Sequence, residues 1–268
     1  LLEYKKYLSP GAMVFGFIVD SLTLTRADLW LDNLILLSYL TITGASILIL
    51  NRYEAGSAQE SPRWVLFLPL AMQFAFGGLF SGFTVLYSRS ASILASWPFL
   101  AIMAALLIGN EYSRHRYRIL IFQTAIYFVA IFSYFIFAIP VLLNSIGPWI
   151  FLLSGIVSLA IITLLIMAII KIAPQKFEPY KRTVKYSIFG IYLAFNLLYF
   201  TDIIPPIPLS LRDIVVAHGI NHIDNSRFQI SFEPPRWYDF LKDFNPDYHR
   251  ADSEPVYVFS TVYAPAKL

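Results

Sequence analysis

The chain has 268 residues, of which 57% are hydrophobic and 14% charged, with a formal net charge of +3 and a mean hydropathy of +0.63. A typical globular domain carries about 25% charged residues, so water is excluded as the main solvent of this fold. No cysteine is present, which excludes disulfides, thiolate metal sites and a cysteine nucleophile.

The useful unit of length is then the bilayer crossing, about 20 apolar residues. In chain order, apolar runs cover 10–25, 30–50, 64–86, 91–109, 119–139, 148–170 and 186–204, which predicts seven spans. The second to the sixth contain no Lys, Arg or Glu and at most an Asp in the first turn. The first and last enclose Asp20 and Asp202, and the first is short enough to be re-entrant or interfacial. Asp20 also argues against a cleavable leader, because the run passes into LTLTRADLW with no small-residue cleavage pattern.

If all seven cross, the basic residues sort by side. One side receives Lys5, Lys6, Arg52, Arg63, Arg114, Arg116, Arg118, Lys171, Lys176, Lys181, Arg182 and Lys185, while the other receives Arg26 and Arg89. Because Lys and Arg near span ends stay cytoplasmic, the amino end is expected inside and everything after residue 204 outside. Trp30, Trp64 and Trp149 fall where an aromatic belt is expected, and Trp97 is expected to pack between helices. The inner basic excess is what topology requires, so nucleic acid is not an expected partner. Basic loops carrying Arg114, His115, Arg116 and Arg118, or Lys176, Lys181, Arg182 and Lys185, with tyrosines beside them, suit the bilayer's anionic headgroups.

Composition changes at residue 205. The last 64 residues hold eight of the 16 prolines and eight of the 17 acids, with no further run of spanning length. DIVVAHGI and RFQISFE read as strands of a hairpin around NHIDNS, and PVYVFSTVYAP as another strand. The fold class expected is an all-α polytopic bundle of about seven transmembrane helices (1–204), followed by a small β-rich extramembrane domain (205–268). A start at Leu1 and an end just after a strand lead us to expect a fragment, whose missing part completes the sheet.

The junction YFTDIIPPIPLSLRD, the later PVYVFSTVYAP and the early FGFIVDSLTLTRADLWLDNLILLSYL resemble a family of uncharacterised bacterial multi-pass membrane proteins with a C-terminal domain of unknown function. The resemblance covers nearly the whole chain and rests most on the proline-rich junction. It implies a bacterial cytoplasmic membrane location and a C-terminal domain extending beyond the equivalent of Leu268. It implies no activity, substrate, cofactor or catalytic residue.

Ionisable residues beside spans are expensive enough to count as candidate sites. Asp20, Arg26, Asp28 and Asp32 all come near the outer face in this topology. A structural clasp explains them too, with Asp28 capping the second helix, Asp32 in its first turn and Arg26 paired with Asp20. Asp202 lies one and a half turns after Asn196, so Asp20, Asn196 and Asp202 form an ion- or proton-coupling group if the first and last helices are neighbours. Gly78 and Gly82 have GxxxG spacing and allow close helix packing, within one molecule or between copies. Pro69, Pro98 and Pro140 are expected to kink or end helices.

In the tail, His218 and His222 share a face, with Asp224 or His249 as further zinc ligands. The HExxH pattern is absent, however, and the setting favours a hairpin's surface histidines. No catalytic or cofactor motif is present, and no cofactor is expected. Trp237 and Tyr238, with Phe240, Phe244 and Tyr248, suit either the core of the small domain or a surface that stacks on a peptide or sugar. Three functions follow: a non-enzymatic membrane module presenting a periplasmic domain to an envelope protein or glycan, a small-molecule or ion transporter, or an enzyme acting on lipid-linked substrates.

Overall fold

The computed structural model describes residues 16–24, 29–56, 62–90, 93–112, 114–204, 210–217, 219–224, 227–231 and 256–263. The chain divides into two compact units, one of Leu1–Pro208 with Pro265–Leu268 and one of Leu209–Ala264.

The first unit is a helical bundle. Residues 16–23 form α1, followed by α2 (Trp30–Ala55), α3 (Leu68–Ser90), α4 (Ile93–Tyr112), α5 (Leu120–Leu143), α6 (Pro148–Ile172), the single turn α7 (Pro174–Phe177) and α8 (Lys181–Phe200). Turns of 3-10 helix, Arg63–Phe67, Arg114–Arg118 and Glu178–Tyr180, lead into α3, α5 and α8. Among the described residues, five stretches are long and apolar enough to cross a bilayer: Trp30–Ala55, Arg63–Ser88, Leu120–Leu143, Pro148–Ile172 and Pro174–Phe200. That is fewer than the seven runs counted in the sequence. The described part of α1, at about 1.5 Å per residue, reaches less than half of the roughly 30 Å needed.

The last span differs from its expected bounds. Its helix begins at Lys181, after a Pro174 start and a short 3-10 turn, and ends at Phe200. Asp202 therefore lies beyond the helix, exposed and with a left-handed φ of 57°, a conformation a short polar side chain tolerates. Pro98 and Pro140 are both carried inside helices. The Pro140 carbonyl receives the Ser145 N–H just past the helix, where Asn144 takes the left-handed cap.

Burial is arranged for a lipid solvent. Asn51, Gln123, Thr124, Ser133, Ser154 and Ser158 are fully buried, while Trp30, Leu142, Trp149, Leu164 and Leu197 are well exposed. Trp97 belongs with the second group at 62% exposure, which corrects its expected place between helices. Its ring points away from the bundle because α4 already fills the interior with Phe99 and Met103. The hydroxyls of Thr124, Ser154 and Ser158 return to carbonyls of their own helix, Ser158 to that of Ser154 at 2.7 Å, since hydrocarbon offers no water in their place.

Helix α5 is central, touching α2, α3, α6 and α8. Its Phe137 meets Phe83 and Tyr87 of α3, and its Phe132 stacks 4.6 Å from Phe195 of α8. Tyr87 also donates to the Ser133 carbonyl at 2.9 Å. Three glycines seat rings from neighbouring helices. A Cβ at Gly44 would lie 2.6 Å from the Tyr127 hydroxyl, one at Gly78 2.6 Å from the Tyr39 ring, and one at Gly155 2.9 Å from the Tyr192 ring.

One ion pair, Lys176 of α7 with Glu54 of α2, joins two helices at the same end. Glu54→Gln is expected to lower stability in detergent micelles by less than about 1 kcal/mol, with the difference shrinking as salt rises. Thermal unfolding at two ionic strengths measures it.

The second unit contains β1 (Ser210–Ala217), β2 (Gly219–Asp224), β3 (Arg227–Ser231) and β4 (Tyr257–Tyr263). β1 pairs antiparallel with β4, and β2 with β3. The hairpin therefore differs from the expected one. Its first strand is GINHID, so residues 221–224 lie in the ladder and not in the turn, whereas DIVVA lies in β1 and pairs across Val215–Phe259 and Val216–Val258 with the last strand. β-branched and aromatic residues on facing strands supply the reason, since they pack well across a pleated pair.

Candidate functional site

Two polar groupings stand out in the helical unit. The first is built around Asp20, a half-buried carboxyl on α1 that faces the Ser81 hydroxyl of α3 and lies near Tyr39 of α2. Ser81 Oγ is buried and makes no formed hydrogen bond, so the two groups are near without being joined. The floor beneath them is the GxxxG face, where Tyr39 covers Gly78 while Leu36 of α2 and Leu24 cover Gly82. Here the small-residue face packs α2 and the chain just after α1 within one molecule.

Of the other members of the expected cluster, Asp32, Asn196 and Asp202 are described. Arg26 and Asp28 are outside the described residues. The residue capping α2 is Leu29, which offers no side-chain hydrogen bond, and Asp32 is buried in the first turn. Asn196 gives its amide to the Tyr192 carbonyl of its own helix at 2.8 Å. Asp202 has Tyr199 as its neighbour and donates its backbone N–H to that residue's carbonyl. Among the described residues, no hydrogen bond or ion pair joins Asp20 to Asn196 or Asp202. Helix α8 packs on α5.

The second grouping was not found in the sequence. At one end of the bundle, Asn51 of α2 donates to its own Ile47 carbonyl at 2.8 Å and to Gln123 Oε1 of α5 at 2.6 Å. Gln123 passes its amide hydrogen to the Tyr117 carbonyl at 2.5 Å, and the Tyr117 hydroxyl donates to Asn110 Oδ1 of α4. Asn110 then donates to the Gln73 carbonyl of α3 at 2.9 Å, and Gln73 returns to the Glu111 carbonyl at 3.2 Å. Four helices and the Arg114–Arg118 turn are thereby tied by a directed chain of donors. Burial pushes the Tyr117 phenol up, so it stays a neutral donor throughout the physiological range. Asn51 Oδ1 is buried with no partner.

Amides and a neutral phenol neither take up nor release protons near neutrality, so this chain is suited to orientation and locking and not to acid-base catalysis. Each member is a lone Asn, Gln or Tyr in a different segment, and the only sequence signal is an amide near the same end of four successive apolar runs. In the second unit, His222 lies in β2 opposite Phe228, while His218, His249, Trp237 and Tyr238 fall outside the described residues. Among the described residues no group of three metal-ligating side chains occurs.

Comparison of the chain with family models, curated proteins and solved structures gives no match.

Proposed function

We propose that this chain is a multi-pass anchor in a bacterial cytoplasmic membrane that presents its C-terminal segment, residues 205–268, to the periplasm as a β-rich binding or interaction domain. The partner class is an envelope protein or glycan, and the reaction class is none. In this reading α1 and α4 complete a seven-pass path with the five long apolar stretches, and the amino end is cytoplasmic. The family of uncharacterised multi-pass proteins resembled by the junction belongs to the same reading.

The observation that carries the proposal is the filled interior of the bundle. Phe83, Phe132, Phe137 and Tyr87 are fully buried and in ring contact with their neighbours, as expected of a support and not of a water-filled passage. The charge asymmetry of the loops adds the direction. A second reading, ion or proton coupling, is favoured by one observation, the half-buried Asp20 carboxyl beside the orphan Ser81 hydroxyl.

Reporter fusions at Leu268 test the first reading. Alkaline phosphatase fused there is expected to be active, and a cytosol-dependent fluorescent reporter dark. The reverse pattern overturns the periplasmic placement and the role built on it. Asp20→Asn is expected to leave growth under altered sodium, potassium and proton gradients unchanged; a gradient-specific defect at normal expression transfers the weight to the second reading.

A further inference from the structure

Helix α8 is the least covered of the five candidate spans, with 17% of its most apolar window buried. Its inward face is Val184, Ile188 and Phe195. On the opposite face, at helical spacing, stand Arg182, Tyr186, Phe189, Leu193, Leu197 and Phe200, with Lys185 beside the first turn, all exposed. At 3.6 residues per turn these fall on one stripe. The stripe is graded, cationic at its start, aromatic one turn later and aliphatic at Leu193 and Leu197, with Phe200 at its end.

Two features make this more than a lipid-facing side. Among the described residues neither Arg182 nor Lys185 has an ion-pair partner, the nearby Glu178 being held by Lys181 at 3.5 Å. Gly190 and Ala194 are exposed in the same part of the helix, and a Cβ at Gly190 would meet nothing within 4 Å. A shallow notch therefore runs beside Tyr186 and Leu193. From Arg182 to Leu193 the rise is about 16 Å, roughly half of a 30 Å hydrocarbon core, the depth of one leaflet.

We propose that this face of α8 is a binding site for one anionic phospholipid, its phosphate held by Arg182 and Lys185 and an acyl chain lying in the Gly190 notch between Tyr186 and Leu193. A second copy of the chain suits the face less well. Two copies inserted with the same orientation and meeting through it would bring Arg182 against Arg182, and like charges so placed repel. The proposal rests on α8 crossing the membrane as read above, but not on which side the tail lies.

The test uses the purified full chain in nanodiscs of phosphatidylcholine with one quarter phosphatidylglycerol, and spin-labelled forms of each lipid. The wild type is expected to restrict phosphatidylglycerol more than phosphatidylcholine. Arg182→Gln and Lys185→Gln should each reduce that preference about fivefold, the worth of one basic residue near a headgroup. Gly190→Leu should reduce restriction of both lipids, because it fills the notch without changing charge. Lys171→Gln, an exposed basic residue in the last turn of α6, serves as the control and should change the preference less than twofold. Equal loss in the control reduces the effect to general surface charge and overturns the site. An unchanged preference in the α8 variants overturns it as well, as does disulfide linkage between copies through Gly190→Cys in this cysteine-free chain. Reporter fusions read the placement of the tail independently, so failure of either proposal is recognised separately.

Discussion

Gln123→Leu is expected to lower the stability of the helical unit by about 2 kcal/mol, the largest effect of any single polar substitution in the bundle. Interhelical hydrogen bonds within membranes are individually modest, about 0.6 kcal/mol on average. Gln123 makes two, to Asn51 and to the Tyr117 carbonyl, and its loss also strands buried groups at about 1 kcal/mol or more each. Asn51→Leu should cost only about 1 kcal/mol, because it removes an already unpartnered Oδ1 while stranding Gln123 Oε1. The double variant should then be scarcely worse than Gln123→Leu alone. Unfolding in mixed micelles gives all three values, and simple additivity would mean that the two amides do not act as a unit.

Gly44→Ala comes second, at about 2 kcal/mol. Its new methyl group would lie 2.6 Å from the Tyr127 hydroxyl and 3.2 Å from the ring carbon bearing it. Tyr127→Phe removes the closer atom together with a 3.2 Å bond to the Leu40 carbonyl, a weak loss because that carbonyl lies inside a helix. Gly44→Ala combined with Tyr127→Phe should therefore be more stable than Gly44→Ala alone. If the second substitution gives no relief, something other than Tyr127 fills the notch.

The helices were legible because bilayer thickness dictates run length, and apolar runs survive any detail of packing. Their ends were less so. Asp202 reads as part of an apolar run by composition, but the helix has closed two residues earlier, and a left-handed residue leaves no mark in hydropathy. Trp97 shows the same limit, since a ring facing lipid and a ring facing a neighbour look alike in sequence. Gly78 and Gly82 announce a close approach by their spacing, yet Tyr39, Leu36 and Leu24, which make that approach, are fixed only by the fold. The amide chain was the hardest to see. Asn51, Gln73, Asn110, Tyr117 and Gln123 have no common spacing, because each comes from a separate segment and they meet only at one end of the bundle. In the tail, the strand character of PVYVFSTVY was readable from its β-branched and aromatic residues, but its pairing with DIVVA joins segments about 45 residues apart, beyond the reach of a local turn signal.

The three ring-on-glycine contacts also bear on movement. A helix sliding along its neighbour by even one residue's rise, about 1.5 Å, would draw Tyr127, Tyr39 or Tyr192 off the glycine that seats it. Piston displacement along the bilayer normal is thus opposed at three separate places, as keys oppose rotation of a shaft. Signals that travel by vertical sliding of one helix would be stopped here, leaving tilting or rotation of the whole body as the easier motion.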